Sequence, residues 1–184
     1  MPLWEEMLPT PICPLWLSFS EQGLQALYFN NPGTESGPVW PVDQHQTDPE
    51  LAARLRQWRQ ETAAALKAYF AGQPESFEHL TLDLQGTPFQ IRVWQALRQV
   101  PFGGVISYQV LADSLNMPRS ARAVGGALRA NPMPIIIPCH RVVATNGSLG
   151  GYSAGIQYKR LLLSHEQVAL GKSPIPLHGF SEDR

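Results

Sequence analysis

The chain has 184 residues, 43% of them hydrophobic, and a formal net charge of -1 at pH 7. That length supports one large domain or two small ones with a real core, and no segment approaches the roughly 18 consecutive apolar residues that a membrane helix needs. The two cysteines, Cys13 and Cys139, are far apart, which argues against a disulfide framework, and the start Met1-Pro2-Leu3-Trp4-Glu5-Glu6 lacks the basic and apolar regions of a signal peptide; both point to a reducing, cytoplasmic setting.

In chain order the first elements read as β and then α. Leu15–Phe19 and Leu24–Phe29 flank Ser20-Glu21-Gln22-Gly23 and predict a hairpin. Residues 30–47 are rich in Pro, Gly and Asn and read as a loop. Asp48-Pro49 then supplies an N-cap followed by a proline at the first helical position. Leu51, Leu55, Trp58, Ala65, Leu66 and Tyr69 follow at helical spacing, and Gly72 ends the helix. Leu80, Leu82 and Leu84 alternate with Thr81 and Asp83 and predict one more strand.

A boundary falls at Gln85-Gly86. It separates an N-terminal domain, 1–85, from a C-terminal domain, 86–170, and the Pro- and Gly-containing tail, 171–184, is expected to be flexible. Thr87-Pro88 caps a helix with Phe89, Val93, Leu97 and Val100 along one face, and Pro101-Phe102-Gly103-Gly104 stops it. Ser107 caps a short helix running to Leu115, Asn116-Met117-Pro118 makes a turn, and Ser120 caps a second helix ending near Arg129. Helix, tight turn, helix is the shape of a helix-turn-helix unit.

Charge distribution strengthens that reading. Residues 1–113 carry 12 acidic side chains against 6 basic ones, whereas 114–165 carries Arg119, Arg122, Arg129, Arg141, Lys159 and Arg160 and neither Asp nor Glu. A surface that faces phosphates needs such a stretch. Within the second helix Gly125-Gly126 costs roughly 1 kcal/mol per glycine, which calls for close approach of another backbone or tight packing on a neighbouring helix. Small residues with isolated arginines suit sequence-tolerant contact to the minor groove better than base readout in the major groove.

Pro138-Cys139-His140-Arg141 lies between two apolar runs, Ile135-Ile136-Ile137 and Val142-Val143. A thiol is a weak nucleophile until ionised, so Cys139 needs a base or a nearby positive charge. His140 is the candidate base and Arg141 a source of positive potential. In an extended chain residues 139 and 140 point to opposite sides, so direct contact requires a turn, and a bridging water is easier. Glu166 is the candidate orienter of His140. The competing readings are a histidine bonded to a backbone carbonyl and a solvated helix glutamate. The glycine-rich stretch Gly147–Gly155 is either a lid over a planar ligand or an ordinary hairpin connection, and it lacks the ending of a phosphate loop. A cysteine hydrolase and a non-catalytic helix-turn-helix regulator both remain compatible with these residues.

Pro138-Cys139-His140-Arg141-Val142, Ser107-Tyr108-Gln109, Ala121-Arg122-Ala123-Val124-Gly125, Asn131-Pro132, Gly151-Tyr152-Ser153, Lys159 and His165-Glu166 occur in order across residues 86–167, and on them the chain resembles the O6-alkylguanine-DNA alkyltransferases, also called methylated-DNA–protein-cysteine methyltransferases. The half before residue 86 matches in outline, its Thr10-Pro11 and Pro14-Leu15 hairpin and its Tyr69-Phe70-Ala71-Gly72 helix end resembling the bacterial constitutive form. The resemblance implies an α+β fold: a mixed N-terminal domain with a small antiparallel sheet, and a mainly helical C-terminal domain carrying a winged helix-turn-helix-like unit. It implies an alkyl acceptor, Cys139, deprotonated through a water by His140 with Glu166 holding the imidazole. It implies Asn131 as a brace of the turn before the nucleophile, and Tyr108 as a donor toward guanine N3. Arg122 would fill the stack behind a flipped nucleotide. Ser107, Arg119, Ala121, Ala123, Gly125 and Arg129 would complete the DNA-binding surface, and Pro134, Gly150, Tyr152, Ser153 and Lys159 the substrate pocket. The implied partner is double-stranded DNA entered from the minor groove by a monomer, with no membrane and no cofactor. Some relatives hold zinc in the first domain, but that half has only Cys13, with His45 and His79 isolated, so no metal is expected.

Overall fold

The computed structural model describes residues 3–29, 48–74 and 77–173. The loop predicted over 30–47 and most of the predicted tail lie outside the described residues. The chain divides into two compact units, Met1–Gln85 and Gly86–Arg184.

The first unit is a three-stranded antiparallel sheet, β1 (Trp4–Leu8), β2 (Leu15–Ser20) and β3 (Gly23–Phe29), in the order β1-β2-β3, with helix α1 (Pro49–Phe70). β2 and β3 form the predicted hairpin, in register Leu15↔Phe29 and Leu17↔Leu27. Alternation therefore puts Leu15, Leu17, Phe19 and Leu27 on one buried face, and Leu55, Leu66 and Tyr69 of α1 are buried as well. Asp48 caps α1, its carboxylate accepting from Leu51 N at 3.2 Å. β1 falls outside the predicted elements, because Glu5-Glu6 break any alternation of apolar residues. The strand predicted at Leu80–Leu84 reduces to one bridge between Leu24 and Leu82. Leu24 N donates to Thr81 O, and Asp83 N donates to Leu24 O. Gly23, at φ +143°, makes this approach possible, since a Cβ there would lie 2.5 Å from Thr81 O.

In the second unit helix α2 (Pro88–Leu97) opens with a full capping box between Thr87 and Gln90. The two helices of the predicted helix-turn-helix are α3 (Tyr108–Ser114) and α4 (Ala121–Arg129). Ser107 caps α3, accepting from Val110 N at 3.1 Å. Asn116 takes φ +58° in the turn. Ser120 stands at the N-cap of α4, but its side chain makes no capping bond there. Helix α5 (Ile156–Ala169), which lies outside the predicted elements, carries Lys159 and Glu166. The core gathers Val93, Trp94, Leu97, Leu111, Val124, Leu162 and the Ile135–Ile137 run. Trp94 Nε1 donates to Ala127 O at 2.9 Å, tying α2 to α4.

The apolar run around the nucleophile is not extended. Ile135 takes φ +78°, a left-handed conformation rare for a β-branched residue. Residues Cys139–Arg141 form a single 3-10 turn that leads into β5 (Val142–Val143). β5 pairs in parallel with β4 (Ile106–Ser107), Ile106 opposite Val142 and Ser107 opposite Val143. That short ladder places Tyr108, the first residue of α3, beside the segment that follows Cys139.

Candidate active site

Cys139 is 5% exposed and opens onto a cavity of about 1000 Å³. One wall is α4, through Ala121, Arg122, Gly125, Gly126 and Arg129; the opposite wall is the glycine loop, through Gly151, Tyr152 and Ser153, with Tyr108 also lining it. Among the described residues, nothing packs tightly enough on the two glycines of α4 to require them. A Cβ at Gly126 would meet nothing within 4 Å, and one at Gly125 would make only ordinary contact with the Tyr108 ring, at 3.8 Å. The helix thus presents a shallow, open face, and its arginines flank it.

Asn131 organises the turn before the nucleophile. Its Oδ1 accepts from Met133 N at 3.0 Å. Its Nδ2 donates to Ile137 O at 2.8 Å and to Cys139 Sγ at 3.1 Å. Cys139 N donates to Ile137 O at 2.7 Å, closing a tight turn on the sulfur. Burial pushes the Cys139 thiol up; hydrogen bonds from Asn131 and Tyr152 and the charge of Lys159 offset this in part. The resting group is therefore a thiol that needs a base. Burial pushes the Tyr108 phenol up, and negative charge on Cys139 would push it further, so the hydroxyl keeps its proton.

Behind the thiol lies a sealed network of charges. His140 and Glu166 are both 0% exposed, and His140 Nε2 pairs with Glu166 Oε1 at 2.7 Å. The 3-10 turn explains how adjacent residues divide their work, with Cys139 at the cavity and His140 turned inward. Burial lowers the His140 pKa, against the raising effect of Glu166, so the imidazole rests neutral. With Nε2–H donating to the carboxylate, Nδ1 is left as the basic nitrogen, and no hydrogen bond from the described residues occupies it. Arg141 is buried too, its Nε and Nη2 donating to Glu166 at 3.0–3.2 Å and its Nη1 to Val100 O at 2.6 Å. Glu166 Oε2 also accepts from Gly103 N at 2.8 Å. Burial alone would raise the Glu166 pKa, but His140 and Arg141 outweigh it and bring it to about 2. Glu166 is thus no solvated helix residue; it stays an anion and takes up no proton.

Of the residues expected in the substrate pocket, Lys159, Pro134 and Gly150 are not among those lining the cavity. Lys159 is 0% exposed; its ammonium donates to Val142 O at 2.6 Å and also to Leu149 O, tying the strand after the nucleophile to the start of the glycine loop. Burial lowers its pKa to about 8. Pro134 is buried in the Asn131 turn. Gly150 is exposed, and a Cβ there would come 2.9 Å from the Tyr108 hydroxyl. Of the residues expected on the DNA-binding surface, Ser107 caps α3, and Arg119 and Ala123 are exposed. Sequence reasoning missed the pairing of Arg141 with Glu166, because Arg141 follows the nucleophile and reads as surface charge. It also missed Gly103 and Gln167, which carry no chemical signature.

Two family models account for the chain. One described as 6-O-methylguanine DNA methyltransferase, ribonuclease-like domain, matches residues 3–84, and one described as 6-O-methylguanine DNA methyltransferase, DNA binding domain, matches 88–168. The chain belongs to the 6-O-methylguanine DNA methyltransferase family. It is 40% identical to the methylated-DNA–protein-cysteine methyltransferase of Salmonella typhimurium over 91% of this chain and 98% of that one. It is 41% identical to the Homo sapiens protein of the same name over 90% of this chain and 81% of that one. The crystal structure of Mycobacterium tuberculosis OGT in complex with DNA matches this fold with a TM-score of 0.67 at 38% identity, covering 92% of this chain and 94% of that one.

Proposed function

We propose that this protein repairs O6-alkylguanine, and also O4-alkylthymine, in double-stranded DNA by irreversible transfer of the alkyl group to Cys139. The observation that carries this reading is a thiol opening into a cavity walled by the small-residue helix α4, with a buried, neutral histidine behind it. The target atom lies inside the duplex, so the nucleotide must be rotated out of the stack, at a cost of a few kcal/mol. α4 enters the minor groove, Arg122 takes the vacated place in the stack, and Arg119 and Arg129 meet phosphates. The flipped base slides between Tyr108 and the loop at Tyr152–Ser153.

His140 Nδ1 draws the thiol proton through a bridging water, and Glu166 stabilises the imidazolium that forms. The S–C bond forms as the bond between the alkyl carbon and O6 breaks. Tyr108 protonates guanine N3, so the base leaves neutral; the tyrosinate regains a proton from solvent as His140 releases one, so the net movement is of the thiol proton to the base. The thioether does not revert, so each molecule reacts once. The reaction calls on no metal or organic cofactor, and a monomer suffices for it. No helix among the described residues is long and apolar enough to cross a membrane, and the cysteine usage supports action in the cytoplasm.

The test is mass spectrometry of the Cys139 peptide after incubation with duplex DNA containing O6-methylguanine. One added methyl and at most one equivalent of repair per protein are expected. Repeated turnover, or an unmodified Cys139 after the lesion has gone, overturns the reading. Cys139→Ala abolishes transfer and leaves DNA binding measurable.

A further inference from the structure

We propose that Gln167 is a positioning residue for alkyl transfer: with Glu166 it fixes the Gly103 peptide, and that peptide holds the Glu166 carboxylate against His140. The inference rests on the function proposed above. Glu166 and Gln167 are consecutive on α5, both are buried, and both grip one residue. Gly103 N donates to Glu166 Oε2 at 2.8 Å, and Gln167 Nε2 donates to Gly103 O at 2.8 Å. A carboxylate only accepts and an amide NH₂ only donates, so the two side chains match both polar groups of Gly103 in one orientation.

Gly103 needs that selection. It takes φ +71° and lies under Leu170, whose Cδ1 would be 2.2 Å from a Cβ there. Gly104 N donates to Pro101 O at 2.9 Å and closes the turn around Gly103, and the two hydrogen bonds to α5 fix the tilt of that turn so that the Gly103 N–H points at Glu166. His140 and Arg141, which also bond this carboxylate, come from the 139–141 turn, while Lys159 of α5 acts by charge on both His140 and Cys139. Gly103 supplies a donor from a different part of the chain. It braces the carboxylate against swinging toward Arg141 and away from His140. The same turn leads through β4 into Tyr108, so both ends of the reacting pocket depend on it.

The test uses the full-length protein with Gln167→Met, which removes the donor at similar size, and Gln167→Glu, which turns it into an acceptor. The rate constant for transfer from O6-methylguanine DNA should fall about three- to tenfold in Gln167→Met, the worth of one hydrogen bond, and further in Gln167→Glu, with DNA affinity unchanged. Because His140 loses part of the raising influence of Glu166, the acid limb of the pH–rate profile should move to lower pH and the His140 ¹⁵N resonances should shift. Unchanged rates, profile and resonances in both variants overturn the proposal. So does a rate loss that only follows a lower melting temperature, with profile and resonances in place. Should the unsubstituted protein add no methyl to Cys139, the functional reading fails. The His140 resonances of Gln167→Met then still decide the positioning claim, which a shift supports and identity with the unsubstituted protein overturns.

Discussion

Asp83 in the first unit and Glu166 in the second are both buried carboxylates, yet they keep different company. Asp83 accepts from two neutral donors, Ser20 Oγ at 2.6 Å and Gln85 Nε2 at 2.5 Å, and pins a turn of chain to the sheet. Glu166 is packed among Arg141, His140 and the Gly103 amide, with Lys159 buried on the same helix. Crowding charges out of water costs several kcal/mol per ion, and a hydrophobic replacement of such a network is often neutral or stabilising. A protein that concentrates buried charge beside one thiol, while its other unit manages with neutral partners, keeps that charge for chemistry.

The contrast can be broken most directly at the two carboxylates. Glu166→Gln leaves Arg141 as a buried, unpaired cation. It should cost about 3–5 kcal/mol in urea unfolding and slow alkyl transfer by about a hundredfold or more. Asp83→Asn should cost about 1–3 kcal/mol and leave the transfer rate of folded protein unchanged. Equal costs in stability, with no difference in rate, would erase the distinction. Lys159→Met comes next. It strips the donor from Val142 O and Leu149 O, at about 1–3 kcal/mol, and the Cys139 thiolate, followed by absorbance near 240 nm, should titrate at higher pH because a lowering charge is gone.

Acid sharpens the comparison without substitution. The folded pKa of His140 lies below 6.5 and that of Glu166, at about 2, below 4.5. For both, the unfolded chain binds protons that the folded one refuses, so the stability each contributes is complete above its unfolded pKa and is lost on acidification. The second unit should therefore weaken from pH 6.5 downward and again from 4.5 toward 2, read as falling urea midpoints of its own transition. The smallest effect is expected at Gly126→Ala. It fills open space and replaces a helix-interior glycine, so it should stabilise by about 0.5–1 kcal/mol while weakening DNA binding by keeping the duplex off α4.

Local chemistry made much of the fold legible. The Asp48 cap, the Thr87-Pro88 start, the Ser107 cap and the hairpin at Glu21-Gln22 all follow from side chains that bond their own neighbours. β1 was not legible because Glu5-Glu6 interrupt its apolar pattern, and neither was the extent of Leu80–Leu84, because pairing to the distant Leu24 decides it. At the site, Cys139, His140 and Glu166 stand out by residue type and by family pattern. The conformation around them does not. An isoleucine-rich run suggests a strand, yet Asn131 and the prolines at 132, 134 and 138 fold it into consecutive turns. Arg141 and Lys159 read as surface cations for the same reason: only the tertiary fold reveals that carbonyls and a carboxylate, and not phosphates, satisfy them.

Ile135 holds its left-handed backbone directly ahead of the nucleophile, a conformation that costs about 1–3 kcal/mol and persists only while its surroundings enforce it. The enforcement is the packing of Ile135, Ile136 and Ile137 into the core. A stored sample that loosens beneath those three side chains would let the turn relax before the helices melt. Shelf life would then be set by the thiol and not by the fold, and a circular dichroism trace could look intact for protein that had already lost its single use.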